Sequence, residues 1–347
     1  MTMHAYRGHP DIELTSPQAV LTAIPHLLGF VPCQSLVLMW ITRSRLALTQ
    51  RIDLPTGDLL DVALLEGWLL AAEPPVALGQ ADEVIAVFVT DRIDLDGLSA
   101  SLVARLRDRG VGVRDAVRLQ ENRWWSYLCS DNACCPADGR LLDPVDARGV
   151  LAEFVGFGSA PLPGREYLLG EVTAEPGRVR AARAALRDME WIDESPETWR
   201  DRCIDIMCTS THTADIADIA ASIAGAHDLH VRDTVLWEMV RMDSDRLRAT
   251  GEFLRASTRC AGRRGRLRVA PIATLAGSAS WLLGDGARAL TAIDLALKAD
   301  PSYSLAEMLS RALRVGLHPR VWRSALEDLG RDACRYGVGH VRRDSVV

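Results

Sequence analysis

The sequence predicts an α/β N-terminal domain with a mixed β-sheet, followed by an all-α helical domain. Three observations carry this reading. Up to about residue 155, short apolar runs of strand length, above all Val84-Ile85-Ala86-Val87-Phe88-Val89, alternate with helical patterns. A Gly- and Pro-rich stretch follows, from Gly156-Phe157-Gly158-Ser159-Ala160-Pro161 to Glu175-Pro176-Gly177. Beyond it the apolar spacing is helical and no convincing strand pattern recurs. The expected organisation is an α/β domain over 1–155, a linker over 156–177 and a helical domain over 178–347. At 347 residues the chain exceeds the size at which a single core keeps growing.

Ser16-Pro17 opens the first helix, with serine at the cap and proline pre-set at the first helical position. Val20, Leu21, Ile24, Leu27 and Leu28 then recur at helical spacing, while Pro25 is expected to kink the helix or end it near Ala23. Ser35–Ile41 is a continuous apolar run, Leu46, Leu48 and Ile52 mark a second strand, and Arg43-Ser44 joins the two as a hairpin. A helix is expected from about Asp58 to Ala72, stopped by Glu73-Pro74-Pro75. Val84–Val89 is the clearest buried strand, because β-branched residues dominate it. A helix over Leu98–Arg109 closes at Gly110, and strands follow near Val111–Leu119 and Trp124–Leu128, turned at Glu121-Asn122-Arg123. Hairpins among these strands predict a mixed sheet.

Helical patterns then cover approximately 178–190, 197–224, 232–241, 244–260, 271–284, 286–299, 304–315 and 319–335. The run Thr209-Ser210-Thr211-His212-Thr213 competes with the backbone for hydrogen bonds and is expected to mark a break between two helices. Near the C-terminal end, Gly277, Ala289, Ile293, Ala296 and Pro301 fall at the spacings of a tetratricopeptide helix pair, which this segment resembles. Ala273 and Ser280 stand at its usual aromatic positions and no second copy follows, so the expectation is one helical hairpin packed through small residues.

Composition is that of a globular protein, with 48% hydrophobic and 25% charged residues. A net charge of −6 argues against nucleic acid and anionic membrane as partners. Lys298 is the only lysine among forty basic residues, an arginine bias without functional content of its own. No basic stretch leads into an apolar core and cleavage site, and no apolar run approaches the roughly 20 residues that span a bilayer, so a cytoplasmic protein is expected. Eight cysteines in such a setting read as thiols or metal ligands before disulfides.

Cys129, Cys134 and Cys135, in a loop rich in Asp, Asn and Pro, are the most suggestive chemical cluster. Thiolates favour zinc, but the cluster lacks a Cys-x-x-Cys pair and adjacent cysteines rarely share one metal. Structural thiols are therefore the first reading, a reactive pair and a metal site the alternatives, and no stoichiometric metal or cofactor is expected. Trp124 and Trp125 point to opposite faces of a strand, one toward the core and the other toward an outer face or groove where it could meet a ligand or partner. His26, Ser35, Arg51 and Asp53 would converge if the first helix lies over the first two strands; a structural polar network is the plain reading and a catalytic set the sharper one. Ser35 lies on no Gly-x-Ser-x-Gly elbow. His227 and His230 share a helical face but lack a third ligand nearby. Arg255, Arg259, Arg263, Arg264, Arg266 and Arg268 concentrate positive charge before Pro271, where Arg263, Arg264 and Arg266 read as a solvated loop or a surface for an anionic ligand or partner. No Walker or dinucleotide pattern is present there.

Three segments carry a family resemblance: Ile24–Trp40 with Arg51-Ile52-Asp53-Leu54-Pro55; Trp124-Trp125-Ser126-Tyr127-Leu128-Cys129 with Cys134-Cys135-Pro136; and Trp281–Ala287 with Ala299-Asp300-Pro301. In these the chain resembles an actinobacterial family catalogued as domain of unknown function 4192. The resemblance spans nearly the whole chain and brings no activity with it. The leading expectation is a non-enzymatic interaction or scaffold module whose helical domain docks a protein partner. The rival is a small-molecule or nucleotide-binding enzyme with its site between the domains, where His26, Arg51, Asp53 and the Cys129 loop would line one pocket.

Overall fold

A computed structural model describes residues 12, 14–54, 81–92, 95–156, 158–189, 195–211, 213–327 and 329–336. The helix expected at 58–72 lies outside these residues. Contacts divide the chain into two compact units, Met1–Arg165 with Arg314–Leu317, and Glu166–Leu313 with His318–Val347. In chain order the first unit contains α1 (Pro17–Leu28), β1 (Ser35–Thr42), β2 (Arg45–Asp53), β3 (Glu83–Val89), α2 (Asp96–Asp108), β4 (Gly112–Gln120), β5 (Arg123–Ser126), β6 (Arg140–Leu141) and α3 (Pro144–Gly156).

The six strands form one mixed sheet in the order β2-β1-β3-β4-β5-β6. Only β3 and β4 run parallel, joined by the α2 crossover; every other neighbouring pair is antiparallel. The β1–β2 hairpin turns at Arg43 and Ser44, both left-handed at φ 49° and 60°, the conformation that matches strand twist in a two-residue loop. Leu36, Leu38 and Trp40 share one core with Val84, Ala86, Phe88 and with Leu102 and Leu106 of α2. Val37, Met39, Ile85 and Val87, which alternate with them, are also buried, which explains why β1 and β3 read as unbroken apolar runs.

α1 begins as expected, with the Ser16 hydroxyl accepting the Ala19 N–H at 3.1 Å. It does not stop near Ala23: it continues through Pro25 to Leu28 and ends at Gly29, φ 76°. Ile24 and Leu28 are buried along with Val20 and Leu21, and α1 packs against α3, so the burial of the last turn outweighs the hydrogen bond that Pro25 removes.

The second unit contains α4 (Glu166–Gly170), α5 (Pro176–Arg187), α6 (Pro196–Thr209), α7 (Ile216–Gly225), α8 (Leu229–Met239), α9 (Ser244–Thr258), α10 (Val269–Leu282), α11 (Gly286–Ala299), α12 (Ser304–Arg314), α13 (Pro319–Glu327) and α14 (Arg331–Tyr336), with no strand among its described residues. α6 ends at Thr209 and α7 starts after Asp215, so the predicted 197–224 pattern is two helices. The Asp215 carboxylate caps α7 by accepting the Asp218 N–H at 2.8 Å. Every residue of α10 is buried, and its Thr274, Ser278 and Ser280 hydroxyls donate to the carbonyls of Ala270, Thr274 and Ala276 at 2.7–3.0 Å. A Cβ at Gly277 would stand 2.8 Å from Ile293 Cδ1 and 3.1 Å from the Ala289 carbonyl, so α10 and α11 cross too closely there for any side chain at 277.

The Gly/Pro stretch 156–177 is divided between the units. Leu162 exchanges backbone hydrogen bonds with Gly29 and Val31 in the first, at 2.9 Å each. In the second, Glu171 holds Arg288 through two bonds of 2.7 and 2.9 Å, and Glu175 pairs with Arg259.

Candidate functional site

The chain from β5 to β6 makes a loop that carries Cys129, Cys134 and Cys135. It is fastened to the sheet at both ends. At its start the Ser126 hydroxyl donates to Asp115 at 2.6 Å and accepts the amides of Leu128 and Cys129, both at 3.2 Å. Burial pushes the Asp115 carboxyl above the usual carboxylate range, against the lowering effect of bonds from Ser126 and the Ala116 amide. At its end Arg123 donates to the carbonyls of Asp138 and Gly139 at 3.1 and 3.0 Å, and Arg140 donates to that of Cys134 at 3.2 Å.

Trp125 supplies the central anchor. Its indole N–H donates to Ala137 at 3.0 Å, Arg118 stacks on it at 3.9 Å, and Gly139 lies against the ring where a Cβ would come within 2.4 Å. Gly139 is also left-handed, φ 76°, so both its conformation and its contact require glycine. Trp124 faces the core, 4% exposed. Neither indole is thus a bare surface: one fills the core and the other clamps the cysteine loop.

Between these anchors Asp131 builds a tight turn. Its carboxylate accepts the Ala133 N–H at 2.9 Å and its carbonyl accepts from Cys134 and Cys135 at 3.1 and 2.7 Å. The turn brings the three sulfur atoms within 4.8 Å of one another. Hydrogen bonding from the Asp131 backbone, and next from Cys135, holds the Cys129 thiol below its ordinary value, whereas burial first and Cys129 second push the Cys135 thiol up to about 11. The loop therefore offers one sulfur disposed to ionise beside one that stays protonated.

Ser35, Arg51 and Asp53 do come together, at the carboxyl end of the parallel β3–β4 pair. Arg51 Nε donates to Ser35 Oγ at 2.8 Å, its Nη2 pairs with Asp53, and Arg165 lies 3.6 Å from the other Asp53 oxygen. Ser35 in turn donates to the Cys33 carbonyl at 2.7 Å. Gln34, at φ 42°, bridges the Thr90 hydroxyl and Asp91. Gln34, Thr90 and Asp91 were not legible as neighbours, since they join only through the β1–β3 register, and Arg165 reaches Asp53 only because the fold returns its segment to β2. His26 has a different setting: Nδ1 meets the Ser159 hydroxyl at 3.0 Å and the ring stacks on Phe154 at 4.6 Å. The cysteine loop leaves from β5, four strand positions away from β2, which is about 19 Å across the sheet. The structure does not bring Arg51, Asp53 and that loop into one pocket.

Two cavities lie elsewhere. One of about 180 Å³ under α1 is lined by Leu14, Val20, Leu21, Ile85 and Val117, with Arg114 and Asp115 among its polar groups; Arg114 pairs with Glu83 at 2.5 Å. The other, about 110 Å³, sits in the helical unit at the start of α10 and includes Arg263, Arg268, His227 and Tyr303 in its wall. Burial and then Arg268 hold His227 below its ordinary value. Arg263 thus reaches a cavity, while Arg264 and Arg266 flank and enter the short 3₁₀ turn Gly265–Leu267. His230 caps nothing: its amide donates to Asp228, the cap residue of α8.

Residues 17–320 match the family described as domain of unknown function (DUF4192), and the chain belongs to that family. No curated protein and no solved structure matches it.

Proposed function

We propose that the chain is a protein-interaction module and that the cysteine loop, Tyr127–Gly139, is its contact surface. The observation that carries this reading is a loop built to be rigid while facing water. Its backbone is tied down by Ser126, Arg123, Trp125 and Arg140, yet Cys134 and Leu128 are exposed at its surface. Rigid scaffolds commonly present function on such loops, and a surface already ordered loses less entropy on binding. By contrast Ser35, Arg51 and Asp53 satisfy one another, as a structural network does. The test is capture from native lysate at near-physiological salt with the full chain and with Trp125→Ala. A stoichiometric partner held by the first and lost by the second supports the reading; a wild-type chain that retains none, or a partner indifferent to the substitution, overturns it.

A further inference from the structure

We propose that Cys129, Cys134 and Cys135 form a zinc site with a fourth coordination position open to solvent. The sequence argues against it, for lack of a Cys-x-x-Cys pair and because Cys134 and Cys135 are adjacent. The fold answers both objections. The Asp131 turn, with two successive amides on one carbonyl at 3.1 and 2.7 Å, folds the chain back so that neighbouring side chains face the same point as Cys129. All three Sγ atoms lie within 4.8 Å of one another. Zinc–sulfur bonds of about 2.3 Å in a tetrahedron place sulfurs about 3.8 Å apart, so side-chain rotation of an ångström or less closes the site without moving the anchored backbone.

The donor set selects the metal. Three soft sulfurs favour zinc over calcium or magnesium, which take oxygen. As three Zn–S bonds form, the three S–H protons leave to solvent, and the resulting site carries one net negative charge. Arg140, fixed on the Cys134 carbonyl, and Arg123, on those of Asp138 and Gly139, stand beside the loop to offset it. Cys129 is half-exposed and Cys134 exposed, so the fourth position faces water or a partner's side chain. Zinc with three protein ligands and an exchangeable fourth is the arrangement that can act on a ligand, whereas four protein ligands close the site.

The proposal is independent of the interaction reading, because metal content is measured on the purified chain alone. Full-length protein is stripped with chelator under reductant, given zinc, desalted and analysed for metal. About one zinc per chain is expected. Cys129→Ser, Cys134→Ser and Cys135→Ser should each weaken zinc binding by at least about ten-fold, as even outer-sphere changes do, while Cys33→Ser, at an exposed thiol outside the loop, should not. Cobalt(II) should give a sulfur-to-metal charge-transfer band in the wild type. Because loosening of the loop is a second way for a serine variant to lose zinc, a further readout uses the wild type only: zinc should slow alkylation of the three loop thiols together and leave Cys33 unaffected. A desalted chain without zinc, or loop thiols alkylated equally fast with and without it, overturns the proposal.

Discussion

Cys129, Cys134 and Cys135 stand together on a loop of the α/β unit, whereas Cys203 and Cys260 are each buried inside the helical unit with a backbone carbonyl as partner, Ala221 at 3.6 Å and Ala256 at 3.7 Å. Burial is the first cause that pushes both of these thiols up, and it raises Cys208 to about 12. In the loop the neighbours of each sulfur include other sulfurs and an exposed turn, and one thiol moves down instead. The contrast teaches that thiol chemistry in this chain follows how each region is held. The helical unit is held by close packing, where a sulfur is one more apolar atom filling space; a Cβ at Gly225 would come within 2.6 Å of Cys203 Sγ. The loop is held by hydrogen bonds to its backbone, which leaves Cys134 exposed and Cys129 half-exposed.

The largest effect is expected from breaking the packed region. Gly277→Val would press a branched side chain against Ile293 and the Ala289 carbonyl, at a cost of about 3 kcal/mol, read by chemical denaturation. Loop alkylation rates should stay unchanged under native conditions; a rise in both regions together would mean that they are not held separately.

Releasing the loop comes next. Trp125→Ala removes the clamp on Gly139 and the bond to Ala137 and should cost about 2 kcal/mol. Amide exchange over residues 128–139 should accelerate, with that of α10 and α11 unaltered. Gly139→Ala should reproduce the loosening, because both φ and the ring contact exclude a side chain.

A smaller effect sharpens the picture of the helical unit. His318 Nδ1 accepts the Arg320 N–H at 3.0 Å at the start of α13, and burial followed by Arg320 lowers its pKa to about 4. The folded chain therefore favours neutral His318. That contribution is whole above the ordinary histidine value of about 6.5 and is lost as pH falls through about 4, because the imidazolium can no longer accept the amide. Partial exposure limits it to about 1 kcal/mol. His318→Asn, whose side chain can still cap, should flatten stability between those pH values; an unchanged slope would assign the acid sensitivity to other groups.

Much of the fold was legible because burial writes itself into spacing. The unbroken runs of β1 and β3 and the small residues Gly277 and Ala289 facing Ile293 each declared a packed face. α3 and β6 were not anticipated. The spacing of Ala147, Val150 and Phe154 did hold a helical signal, but the two residues of β6 form a strand only because β5 pairs with them. Of the two outcomes expected at Pro25, a kink or a stop, the stop is the one that tertiary burial overrides. The cysteine cluster was legible as residues but not as geometry: its convergence depends on Asp131, Ser126, Trp125 and Gly139, whose roles arise from side chain-to-backbone bonds and a ring contact that spacing does not encode.

Pulsed alkylation of the metal-free full chain, read cysteine by cysteine by mass spectrometry near pH 8, tests the central contrast most directly. Cys129 and Cys134 should react first. Cys135, with its thiol raised to about 11, should lag behind an ordinary exposed thiol by about 100-fold. Cys203, buried and raised, should react only through unfolding and thus follow global stability. Cys129 protected as strongly as Cys203, or similar rates at all these sites, would contradict the account.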